Sequence, residues 1–249
     1  MRKLIINADD CGRNTTVDFV IRNCLEEGLL SSTTVMANME DVEGAIKLYR
    51  DFSSKVSFGA HLNLTEGIPI TKNEIFLETG FCKENNGQMV FNGAAFRWKF
   101  IPHNLRIAIY EELSAQLSRL LDVGIIPSHI DSHQHIHFSP FIMPIFCELA
   151  ENMRIQKMRR PKNLLRNSIH DVAIRGVNCL LLTHMRHLNK TDYFSSVETY
   201  INLQKKHEGI YELMCHPGHT SPYYQDEMIH LKNYIDGPLK EEMITYNDL

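Results

Sequence analysis

Short β-rich runs recur along this chain, each followed by a segment of helical pattern, and no other property restricts the fold so tightly. Lys3 to Ala8, Ser32 to Ala37 and Val56 to Leu64 read as strands. Between them, a segment capped by Asn14 or Thr15 and ending near Gly28, then Asp41 to Phe52, read as helices. Parallel strands need a crossover, usually a helix, so this alternation predicts βαβ units and a mainly parallel sheet. Pro102 to Val123 continues it as an amphipathic helix closed by Gly124. After the histidine-rich stretch described below, the pattern predicts a helix from about Phe141 to Asn152 and a short strand from Lys157 to Arg160. It then predicts a helix over Ser168 to Leu182, a short strand over His184 to Leu188, a helix over Asp192 to His207, a strand over Ile210 to Cys215, and two short closing helices.

One segment breaks the rhythm. Residues from 66 to about 100 carry Gly67, Pro69, Gly80, Asn85-Asn86-Gly87 and Asn92-Gly93, with Phe81, Phe91, Phe96 and Trp98 between them. An insertion of this length in a compact domain is usually functional or mobile. Its aromatics are expected either to face a sugar or substrate or to form a satellite cluster that pins the insertion down. Without a repeat, low-complexity tract or linker, the 249 residues read as a single domain.

The densest chemistry is His129-Ile130-Asp131-Ser132-His133-Gln134-His135-Ile136-His137. Read as a strand, it projects His129, Asp131, His133, His135 and His137 from one face. Such a face makes a poor apolar core and a good metal or acid–base site, with about two of the five as direct ligands. Other strand ends carry Asp9 and Asp10, His61, His216 and Arg160. In a parallel barrel or open α/β sheet these ends share one face, which is where active sites form. Two histidines and a carboxylate suit a hydrolytic metal ion, and of two adjacent aspartates one can bind metal while the other acts as base.

Composition narrows the remaining classes. A formal net charge of -4 and no long Lys/Arg block argue against nucleic acid as a partner. No stretch approaches a membrane span, and the N-terminal run is too short for a signal peptide, so it is expected to be the first strand. Six scattered cysteines without a Cys-x-x-Cys pair lead to an expected cytoplasmic location.

The blocks Asn7-Ala8-Asp9-Asp10-Cys11-Gly12, His61-Leu62-Asn63-Leu64-Thr65, the histidine stretch and Cys215-His216-Pro217-Gly218 together resemble the signatures of the YdjC-like carbohydrate deacetylases, which include the chitooligosaccharide deacetylases. Cys11 stands where the family usually has phenylalanine. The resemblance implies an α/β fold, a distorted parallel (β/α) barrel similar to polysaccharide deacetylases, and one divalent metal ion. It implies Asp10, His61 and His133 as metal ligands, Asp9 as general base and His216 as the acid for the departing amine. Arg160 is expected to orient Asp9 or touch substrate, and His135 to contact substrate. The family resemblance carries Mg2+, whereas two imidazoles suit Zn2+ better. The expected partner is an oligosaccharide or small-molecule substrate, with a homodimer left open. Rival readings are a metal-dependent phosphoesterase or amidohydrolase on a similar barrel, and a non-catalytic carbohydrate-binding protein.

Overall fold

The Leu4–Ala8 run is buried on both faces because its strand lies inside a parallel sheet. In the computed structural model, which describes residues 1–164, 169–219, 222–235, 237 and 241–249, the first half alternates as the sequence predicts. It runs β1 (Arg2–Cys11), α1 (Thr15–Glu26), β2 (Ser32–Val35), α2 (Val42–Phe52) and β3 (Ser57–Leu62). The insertion follows, with α3 (Ile75–Glu78), β4 (Cys82–Asn85) and β5 (Gln88–Phe91). Then come α4 (His103–Asp122), β6 (Ile130–Ser132), α5 (Met143–Asn152), α6 (Ile169–His184), β7 (Tyr193–Ser196), α7 (Val197–Ile201), β8 (Gly209–Cys215), α8 (Pro222–Ile235) and β9 (Glu242–Met243).

The main sheet has the order β6-β3-β2-β1-β8-β7, with β9 joining β1, and every pairing is parallel. It forms a half-barrel with helices packed against it. Parallel register brings the carboxyl ends of β1, β3, β6 and β8 to one edge: Ala8 pairs with Cys215, and His61 with Asp131. Asn14 caps α1 by accepting from Val17 N, and Asp41 caps α2 by accepting from Gly44 N. Among the described residues, no helix is long and apolar enough to cross a membrane.

The insertion has its own small architecture. β4 and β5 form an antiparallel hairpin, and Phe76, Phe81, Phe91 and Phe96 pack as a buried cluster with ring centroids 5.1–6.3 Å apart. Of its aromatics only Trp98 and Phe100 are strongly exposed, so most of them serve the satellite cluster. Buried Glu112 and Gln116 on α4 tie its first residues down. Glu112 accepts from the backbone of Ile70 and Thr71, and Gln116 bonds both backbone groups of Asn63.

Three local expectations need correction. Tyr193 to Ser196, expected as the start of a helix, is β7, paired with β8 from Tyr193↔Tyr211 to Ser196↔Met214. Its aromatic and hydroxyl residues fit a half-buried strand, and only Val197–Ile201 is helical, capped by Ser196. The His184–Leu188 segment is the end of α6 and a turn, and Asn189 supplies the one bridge there, to Lys157. Lys157–Arg160 is reduced to that bridge and another between Ile130 and Met158. Ser168, expected at the start of α6, lies outside the described residues.

Candidate metal and acid–base site

The chain turns sharply where β1 ends. Asp10 has φ +69° and Gly12 φ +83°, both in the left-handed region, and Gly12 N donates to Asp18 Oδ1 at 2.7 Å. The turn splits the two aspartates. Asp10 faces the imidazoles of β3 and of the segment after β6, and Asp9 faces a buried arginine.

Asp10 Oδ1 lies 3.1 Å from His61 Nε2 and 2.8 Å from His133 Nδ1. The three donor atoms fall within 4.8 Å of one another on buried side chains. His61 Nδ1 lies 2.7 Å from Asp131 Oδ1, and Thr34 Oγ1 on β2 donates to Asp131 Oδ2 at 3.2 Å. A carboxylate behind the far nitrogen of an imidazole fixes its tautomer and aims the near nitrogen, the usual support for a metal-binding histidine. One carboxylate and two supported imidazoles fit a divalent ion. Burial alone would raise the Asp10 carboxyl, but the three imidazoles of His133, His219 and His61 bond to it and hold it well below the usual carboxylate range.

Asp9 is gripped from the other side. Arg159 Nη1 donates to its Oδ2 at 2.8 Å and Nη2 to its Oδ1 at 2.7 Å, a bidentate pair, and Asn7 Nδ2 adds a bond to Oδ1 at 2.8 Å. Burial works to protonate Asp9, but the Arg159 charge outweighs it and keeps the carboxylate ionised. The same guanidinium, fully buried, reaches Asp131 Oδ2 at 2.7 Å and Glu212 Oε1 at 2.6 Å, and sits 4.8 Å from the Phe194 ring centroid. One cation thus links Asp9 to the carboxylate behind His61.

His216 closes the far side, its Nε2 3.9 Å from Asp9 Oδ2 and its backbone N–H donating to Glu227. Burial disfavours its charge, but Glu227, Asp9 and Asp10 outweigh this and raise its pKa. Asp9, Asp10, His61, His133, His135 and His216 line one cavity of about 300 Å³.

Arg13, Glu66, Gln134, Met214 and His219 complete that lining, and the sequence reading did not single them out. Arg13 bridges Asp10 Oδ2 and Glu66 Oε2 at 3.3 and 3.0 Å, Glu66 Oε1 lies 3.2 Å from His133 Nε2, and His219 Nε2 lies 2.9 Å from Asp10 Oδ2. Glu66 follows the His61–Thr65 block directly, and Asn63 accepts from its backbone N–H, so that block was its available signal.

The histidine stretch does not stay extended. The strand stops at Ser132, and residues 133–138 form a 3-10 turn with Gln134 and His135 at φ +50° and +54°. The alternation of faces therefore fails. His133 enters the site and His135 lines the cavity while stacking on Phe138. His137 is buried against Ser132 Oγ and the Arg159 carbonyl. His129 packs beneath, its ring 3.5 Å from that of Tyr246. The orientation of Asp9 belongs to Arg159. Arg160, expected in that role, donates to the carbonyls of Thr191 and Asp192 and does not line the cavity.

This is a parallel α/β half-barrel whose carboxyl edge gathers a carboxylate–imidazole cluster and a second, arginine-held aspartate. The chain belongs to the YdjC-like family, whose profile ("YdjC-like protein") matches residues 3–245. It is 32% identical over 251 residues to a carbohydrate deacetylase of Halalkalibacterium halodurans, covering 98% of this chain and 95% of that protein. It is 30% identical to the carbohydrate deacetylase of Geobacillus stearothermophilus, covering 99% and 98%. Among solved structures it is similar, with a TM-score of 0.75 and 21% identity, to an Enterococcus faecalis V583 protein provisionally described as a cellobiose-phosphate cleavage protein. That match covers 99% of this chain and 98% of the other, and it bears on the fold.

Proposed function

We propose that this protein is a metal-dependent hydrolase that removes acetyl groups from N-acetylated sugars, with chitooligosaccharides such as diacetylchitobiose as the substrate class. The observation that carries the reading is the pairing of Asp10, His61 and His133 with a separately tethered Asp9 in one cavity. A binding module has no use for an ionised carboxylate held beside a metal-competent cluster, whereas hydrolysis does. Relatives named carbohydrate deacetylases support a carbohydrate as the substrate.

Asp10, His61 and His133 would hold the ion. A divalent cation there supplies Lewis acidity, polarising the amide carbonyl and acidifying water. Asp9 accepts a proton from the attacking water. Arg159 keeps Asp9 ionised and fixes its plane, with Oδ2 on the His216 side. His216, its pKa raised by Glu227 and the two aspartates, donates a proton to the departing amine. Acetate and a free amino sugar result. Two imidazoles among three donors favour Zn2+ or a similar borderline ion over the Mg2+ that the family resemblance implies.

The test is acetate release from diacetylchitobiose by metal-stripped protein reloaded in parallel with magnesium, zinc, manganese, cobalt or nickel. Metal-dependent release is expected and ranks the ions. Phosphate release from sugar phosphates without acetate release would move the assignment to a phosphoesterase.

A further inference from the structure

Residues 242–249 reach beneath the site. β9 pairs with β1 through Leu4↔Met243, and the chain then turns so that Tyr246, with no exposed surface, lies under the sheet. The tyrosine is fixed from several directions. Its N–H donates to Ser57 Oγ at 3.1 Å, its carbonyl accepts from Lys157 Nζ at 2.6 Å, and its ring stacks on His129 with planes 8° apart. Its hydroxyl donates to Glu212 Oε2. Glu212, also fully buried on β8, accepts from Arg159 Nε through its other oxygen. The remaining two nitrogens of Arg159 hold Asp9, and Nη1 also reaches Asp131 Oδ2 at 2.7 Å.

Each link is made of buried groups with few other ways to satisfy themselves, and such networks hold one geometry. Asp9 and Asp131 hold only the Nη1 and Nη2 end of the guanidinium, which leaves its Nε edge free to tilt. A bond to Nε removes that freedom and sets the plane in which Asp9 is presented.

We propose that Glu212 and Tyr246 are positioning residues for the base: Tyr246 fixes Glu212, Glu212 fixes the Nε edge of Arg159, and Arg159 aims Asp9 into the cavity. The inference rests on the proposed role of Asp9. It assigns to residues 242–249, which do not line the cavity, a part in setting its geometry. Burial also pushes the Glu212 carboxyl up, to about 7, despite Arg159 and Tyr246, so the link carries a desolvation cost that a purely structural apolar contact would avoid.

The experiment compares wild type, Glu212→Gln and Tyr246→Phe, each alone and combined with Asp9→Asn, for kcat, KM, metal affinity and unfolding midpoint. Glu212→Gln is expected to lower kcat by roughly 10²-fold, the scale of an ångström misplacement at a reacting group, with KM and metal affinity little changed. Tyr246→Phe should lose less. In the Asp9→Asn background, assayed under single-turnover conditions, neither should lower the residual rate further, because no base remains to be aimed. Equal losses in both backgrounds, or none in either, would overturn the proposal. A second arm does not depend on turnover. In protein labelled with ¹⁵N-arginine, the Arg159 side-chain N–H signals should be sharp and slow to exchange in wild type and broadened by Glu212→Gln. Unchanged signals would refute the positioning role. Absence of acetate release by wild type would refute the deacetylase reading instead, leaving this arm to decide the network.

Discussion

Replacing Asp18 with asparagine should stabilise the protein by an amount that grows with pH over a defined window. Asp18 stands in the first turn of α1, 5% exposed, with Oδ1 accepting from Gly12 N in the turn that carries Asp10. Its other oxygen crowds that of Asp41, the cap of α2: a methyl group built on Gly44 would meet Asp41 Oδ2 at 2.5 Å and Asp18 Oδ2 at 2.6 Å. Burial first, and then Asp41, push the Asp18 carboxyl up to about 7 from an ordinary 3.8, against the pull of the Gly12 bond. About three units correspond to ~4 kcal/mol as an upper figure. Below about pH 4 folded and unfolded chains both carry this proton. Between about 4 and 7 only the folded chain keeps it, so stability falls as pH rises, by at most ~1.4 kcal/mol per unit. Above 7 the whole cost is present. Asparagine keeps the acceptor for Gly12 and removes the charge. The variant should therefore be close to wild type at pH 4.5 and more stable by about 2–4 kcal/mol at pH 8. Urea unfolding of both proteins in chelator, at pH 4.5, 6 and 8, measures this, because other titrating groups cancel in the difference. A stability difference that does not vary with pH would refute the raised Asp18 carboxyl.

Asp9→Asn should reduce acetate release by about 10²–10⁴-fold while retaining stoichiometric metal, read by turnover and metal analysis on the same sample. His61→Ala and His133→Ala should each lose stoichiometric metal on dialysis; full occupancy in either variant would remove that residue from the ligand set. Asp131→Asn leaves the three donors in place but loosens the support behind His61, so metal affinity should drop by about 10–100-fold in a competition titration. Gly59→Ala would bring a methyl carbon to 2.5 Å from the His129 ring, which the stacked Tyr246 keeps from retreating. It should cost about 1–3 kcal/mol in thermal unfolding, and an unchanged midpoint would contradict the packing described.

The parallel sheet and the positions of Asp9, Asp10, His61, His133 and His216 at strand ends were legible because local pattern carries them. A strand stops where its apolar alternation stops, and polar residues just beyond stand out. Arg159 was not legible. Its segment makes only isolated bridges, too short for alternation to say which of two adjacent arginines faces inward, and the Ile130–Met158 bridge decides it. The histidine run misled for a related reason. Period two holds only while the backbone is extended, and the left-handed Gln134–His135 pair ends that after Ser132, leaving His137 to a packing role, while His129 at the strand's start packs against Tyr246. β7 was hidden because four residues are too few for a strand period to outweigh the helical pattern around them. Glu66 and His219 lie in turns just beyond recognisable blocks, where side-chain direction depends on tertiary contacts.

The parallel order of the sheet has a consequence in time. Asp10 and His133 lie 123 residues apart and the His61–Asp131 contact spans 70, so no local segment holds even half of the cluster. Contacts of such separation form late, after most loop-closure entropy has been lost. An ion that needs all three donors gains nothing from an early collapsed chain and holds the finished one. Added metal should leave the rate of refolding nearly unchanged and slow unfolding, lengthening the life of the folded state without quickening its arrival.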